Sequence, residues 1–116
     1  MWKIRFQDGS DLLYEGPGTV RPLDNDGIEV SFEYDGRSIM WQAWKDRVIV
    51  HSRQDVAVRL PLVENETSLA VIESPFGTME VEVTCDHCDV QDEEAEIRYR
   101  MEGMVCSFRL EWKKEE

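Results

Sequence analysis

Two of the three thiols stand at chelating spacing. Cys85-Asp86-His87-Cys88 is a C-x-x-C motif, and the third cysteine is Cys106. Such a pair can share one zinc ion or close a redox disulfide. A tetrahedral zinc takes four ligands, and beyond His87 only Cys106 and His51 offer another thiol or imidazole. No second C-x-x-C and no H-x-x-x-H accompanies the motif. Redox C-x-x-C pairs open a helix whose N-terminus lowers the thiol pKa, whereas this one closes a run with strand alternation. In a regular strand Cys85 and Cys88 face opposite sides and meet only if a bulge intervenes. The expectation is reduced thiols and no metal, with Cys85, His87 and Cys88 as the alternative ligand set. An odd cysteine count without a secretion signal argues against a disulfide framework.

The stretch 86–96 carries Asp86, Asp89, Asp92, Glu93, Glu94 and Glu96 with no basic residue. Clustered carboxylates suit calcium, but the EF-hand pattern with its central glycine is absent, and the stretch reads as a solvated acidic loop. Phe32, Tyr34, Trp41, Trp44 and Tyr99 supply an aromatic interior, which serves either as core or as the wall of a ligand pocket. Arg53 and Arg59 are the cations that could meet an anionic head group at the mouth of such an interior. The candidate ligand contacts are therefore Trp41, Arg53, Arg59 and Tyr99. No nucleophile elbow, phosphate-binding loop, dinucleotide fingerprint or Ser-His-Asp arrangement occurs, and His51 and His87 are the only histidines. A non-enzymatic role without a cofactor is expected, an unrecognised enzyme being the weakest alternative.

The elements that must hold these residues announce themselves by punctuation. Asp8-Gly9, Asp26-Gly27, Asp35-Gly36 and Glu102-Gly103 mark tight turns, with weaker signals at 45–46, 54–55, 64–67, 74–77 and 89–94. Between them apolar and polar residues alternate. Ile28, Val30, Phe32 and Tyr34 share one face; Met79, Val81, Val83 and Cys85 share another. Ile97, Tyr99 and Met101 do the same, as do Cys106, Phe108, Leu110 and Trp112. Period two is the mark of strands with one dry face. Leu12 to Leu23, with Gly16, Pro17 and Gly18, reads as a bent or bulged strand. Pro61 marks an edge, a bulge or a strand end. Residues 37–76 lack glycine, which leaves room for a short helix that their β-branched content opposes. Short strands with local connections make a meander, and a long meander hides its edges by closing. The expected fold is all-β: an antiparallel up-and-down barrel of about eight to ten strands in one domain, 1–116.

The chain has 116 residues and a formal net charge of −12, which disfavours nucleic acid and anionic membranes as partners. No apolar run approaches membrane-spanning length and no signal peptide is evident, so a cytoplasmic location is expected. The charge suits solubility, and alternatively a basic protein partner.

The second half resembles the YwiB-like family of bacterial proteins, a domain family of unknown function with a calycin, or lipocalin-like, β-barrel. The resemblance rests on IVIHSRQ, IESPFGTMEVEV and EIRYRMEG, covers roughly residues 28–113, and matches Arg53, the turn Ser74-Pro75-Phe76-Gly77, Tyr99 and Gly103 to family features. Serine stands where the family turn has threonine. The resemblance implies the lipocalin-like closure and brings no catalytic residues. Together these readings point to a binding module for one small anionic or amphipathic ligand, the alternative being an acidic adaptor with a filled barrel.

Overall fold

The computed structural model describes residues 1–115; Glu116, the last residue of the expected domain, lies outside the described residues. Ten strands follow the turn signals: β1 (Trp2–Asp8), β2 (Asp11–Leu23), β3 (Gly27–Tyr34), β4 (Arg37–Trp44) and β5 (Arg47–Arg53). Then come β6 (Ala57–Val63), β7 (Thr67–Ser74), β8 (Gly77–Val90), β9 (Glu94–Met101) and β10 (Met104–Lys114). No helix occurs among the described residues, so none is long and apolar enough to cross a membrane. Residues 37–76, where a short helix was conceivable, form β4 to β7.

Each strand pairs antiparallel with the next, and β1 pairs with β10 from Trp2↔Lys114 to Asp8↔Phe108, so the meander closes in a ring. The turns do what their residues allow. Asp35-Gly36 and Glu102-Gly103 both have positive φ at both positions, the geometry whose twist matches flanking antiparallel strands. Hairpin turns β1–β2, β3–β4, β5–β6, β7–β8 and β9–β10 lie at one end of the ring, hereafter the upper end; the other turns lie at the lower end.

Three irregularities shape the ring. The register between β1 and β2 shifts between Phe6 and Gln7, leaving Leu13 as an extra residue in β2. At Gly18, β2 passes from pairing with β1 to pairing with β3. A Cβ there would lie 2.3 Å from the Ile4 side chain and 2.8 Å from the Ser31 carbonyl oxygen, so only glycine fits that corner. In β8 the register against β9 shifts between Cys85 and His87, with Asp86 as the bulged residue. The carboxylate of Asp86 takes both Arg100 Nε and Nη2, at 2.8 and 3.1 Å, which pins the bulge to β9.

Two seams are incomplete. β6 and β7 share three rungs, from Ala57↔Glu73 to Arg59↔Val71. Pro61 follows two residues later, where that ladder has ended, so its missing N–H leaves no bond to β7 unmade. β8 pairs with β9 only from Val83 onward, so residues 77–82 extend past β9 with β7 as their one strand neighbour.

The inner faces meet in one core. Toward its lower part Ile4, Val30, Val48, Leu62 and Leu110 are fully buried, and at the lower end Ile28, Ala43 and Trp112 line a concavity of about 590 Å3.

Candidate functional site

At the upper end the interior opens into a cup of about 460 Å3. Phe6, Trp41, Tyr99 and Phe108 wall it, with Leu13, Ile39, Val50, Val58, Leu60, Ile97 and Met101 between them. The rings brace one another. Phe6 stacks on Phe108 at 5.5 Å, meets Trp41 edge-on at 6.1 Å, and tilts against Phe32 at 5.3 Å. Tyr99 stacks on Phe108 at 6.3 Å. Such contacts hold the walls in place.

Polar groups are few. Trp41 is 1% exposed, and its indole Nε1–H finds no acceptor in the protein. A buried donor of that kind ordinarily costs about 1–3 kcal/mol when unpaired. Burial, with Cys106 beside it, pushes the Tyr99 hydroxyl well above the usual phenol range, so it stays neutral. Asp8, Asp35 and Arg37 stand at the rim, with Tyr34 and Ser52 nearby.

Of the four residues singled out from the sequence, the cup brings together Trp41 and Tyr99. Arg53 and Arg59 do not join them. They alternate with the inward Ser52, Val58 and Leu60, so their side chains leave the outer wall, where they line a separate groove. The cation at the cup is Arg37, which shares strand parity with Ile39 and Trp41. Sequence reasoning missed it, although that parity was readable. Trp44 is not part of the interior either. Its indole donates to the Asp24 carbonyl at 3.0 Å, packs over Gly27 and carries Arg47 on its face at 4.6 Å.

The bulge at Asp86 returns Cys88 to the interior face beside Cys85, and both thiols are buried. Cys85 donates to the His87 carbonyl at 3.4 Å. The Cys88 thiol is pushed far up, first by its hydrogen bond with Cys85 and then by burial. His87 points away, between Glu64 at 3.6 Å and Glu96 at 3.4 Å. No group of three His, Cys, Asp or Glu side chains gathers in a metal-holding arrangement among the described residues.

A closed all-β ring with an aromatic cup at one end defines the structural class. The crystal structure of the YwiB protein from Bacillus subtilis matches it with a TM-score of 0.69, over 99% of this chain and 89% of that one, at 15% identity. The fold is therefore YwiB-like. No family model matches the sequence, and no curated protein does.

Proposed function

We propose that this chain is a lipocalin-like (calycin) barrel that binds one small amphipathic ligand in its upper cup without transforming it. The observation that carries the reading is the braced aromatic cup itself, about 460 Å3 with a polar rim of Asp8, Asp35 and Arg37. Pockets for small molecules have this make-up: apolar walls and a small number of orienting polar groups. The ligand's apolar body lies between Phe6, Phe108 and Tyr99, with Trp41 as a further wall. The rim carries two carboxylates against one guanidinium, so a neutral or zwitterionic polar end suits it better than a bare anion. Titration with an uncharged environment-sensitive fluorophore tests this. Saturable one-to-one binding, abolished by Val50→Phe, which fills the cup, is the expected result. Binding that Val50→Phe leaves intact in a folded protein rules the cup out.

A second reading, an adaptor for a basic protein segment, has its own support. The free edge of β8 at 77–82 offers unpaired backbone groups with Glu80 and Glu82 on one face and the half-exposed Met79 on the other. Phe76, at the tip of the hairpin, is 100% exposed. An extended peptide alternating lysine with apolar residues would add as a strand there. Salt-sensitive binding of such a peptide, lost in the Glu80→Lys, Glu82→Lys double variant, is expected. Equal binding by both proteins sinks the reading.

A further inference from the structure

The outer wall bears a second concavity, a groove of about 450 Å3 across β4 to β7. Two outward-facing rungs of the sheet, with one inward-facing rung between them, build it. One runs Ser38, Arg53, Ala57, Glu73; the other runs Met40, His51, Arg59, Val71. Short side chains at Ser38 and Ala57 keep the floor low beside the two guanidinium groups, which stand as diagonal neighbours on β5 and β6. In a chain with 25 acidic and 13 basic residues, carboxylates are the abundant partners. Arg5, Arg21, Arg100 and Arg109 each hold one. Among the described residues, Arg53 and Arg59 form no such pair, although Glu73 lies on the same groove.

His51 is held between them by a relay. Arg21 Nη2 pairs with Glu29 Oε2 at 2.7 Å, and Gln42 Nε2 donates to Glu29 Oε1 at 3.1 Å. Glu29 is only 9% exposed, so the relay starts from a buried carboxylate. Because the Gln42 amide nitrogen is committed to that carboxylate, its oxygen faces His51 Nε2 at 3.2 Å. Nε2 must therefore donate, and Nδ1 is the ring atom whose protonation is left to vary. The relay sets the imidazole's orientation across three strands, which a merely solvated surface histidine does not need.

We infer that this outer groove is a binding site for a small phosphorylated or similarly multivalent oxyanion, held by Arg53 and Arg59 with His51 Nδ1 as the third donor. Guanidinium groups bind such oxygens through paired N–H bonds, and neutralising two of them offsets the anion's desolvation. Burial and then the charge of Arg59 hold His51 below its ordinary range, against the weaker pull of Glu29. A bound oxyanion removes the Arg59 effect and adds its own negative charge, so binding takes up a proton at Nδ1. Glu73, on β7, opposes both events from the far side of the groove. The site is separate from the cup and stands or falls without it.

The experiment is an NMR pH titration of both histidines in the full chain, with inorganic phosphate and with chloride at matched ionic strength. The His51 midpoint is expected to rise by roughly one unit in phosphate, the scale set by one close opposite charge. His87, between its two glutamates, serves as the internal reference and should not follow. The Arg53→Ala, Arg59→Ala double variant should lose the rise, and Glu73→Gln should lower the phosphate concentration needed for it. An equal shift in chloride, a shift that survives in the double-arginine variant, or no shift at tens of millimolar phosphate overturns the inference.

Discussion

Replacing Trp41 by phenylalanine separates packing from hydrogen bonding at the cup. Trp41 is buried at 1% exposure and its N–H has no acceptor in the protein. Truncating indole to phenyl removes about 40 Å2 of apolar surface from burial, a loss of about 1 kcal/mol. It also deletes the unpaired donor, whose burial costs about 1–3 kcal/mol. The two terms oppose each other, so Trp41→Phe should unfold in urea within about 1 kcal/mol of the parent, or later than it. Trp41→Ala, by contrast, should lose about 3–5 kcal/mol, because it leaves a void the ring of strands cannot collapse into. Urea curves followed by circular dichroism measure both without relying on the removed fluorophore. A loss of about 3 kcal/mol in Trp41→Phe would mean that the N–H is satisfied, and the opposition of the two terms would be refuted.

Two further outcomes follow from the geometry. His51 has a folded-state pKa below its ordinary value of 6.5, so its contribution to stability is complete above 6.5 and is lost as pH falls through the lower folded value. Urea midpoints should therefore decline on mild acidification in the parent and decline less in His51→Gln; parallel declines would refute the assignment. Gly18→Ala forces a Cβ against the Ser31 carbonyl, which is backbone and cannot swing aside, and should cost about 1–3 kcal/mol in chemical denaturation. Wild-type stability in that variant would show that the corner is looser than the close approach implies.

Much of the ring was legible because its two signals are local. Asp35-Gly36 and Glu102-Gly103 mark turns by a backbone requirement, and the alternation from Ile28 to Tyr34 marks a face by strand geometry. Closure follows less directly, from the need to hide edges, and appears only as the β1–β10 register. The bulge at Asp86 had no sequence signature beyond the C-x-x-C it serves, so whether Cys85 and Cys88 share a face was left open. The assignment of cations failed for a different reason. In β4 and β5 both faces carry apolar side chains, with Met40, Trp44 and Ile49 outside, so the inward face does not stand out. Once Trp41 is recognised as inward, parity alone places Arg37 with it, and the inward Val50 and Ser52 send Arg53 outward. Where the interior packs and where it stays hollow depend on side-chain volumes summed across ten strands, which no window along the chain samples.

The β1–β10 seam also sets the order of events in folding. Nine seams join neighbours along the chain, whereas this one joins its two extremes. Bringing the extremes of an unstructured chain of this length together costs about 4 kcal/mol of entropy, which the nine hairpins reduce as they form. Closure is accordingly expected late in folding, after an open ribbon with β1 and β10 both unpaired. Two ribbons can satisfy each other's margins as readily as one can satisfy its own, so refolding yield should fall as protein concentration rises. The same feature that leaves the native ring almost without margins thus makes its immediate precursor the form most prone to association.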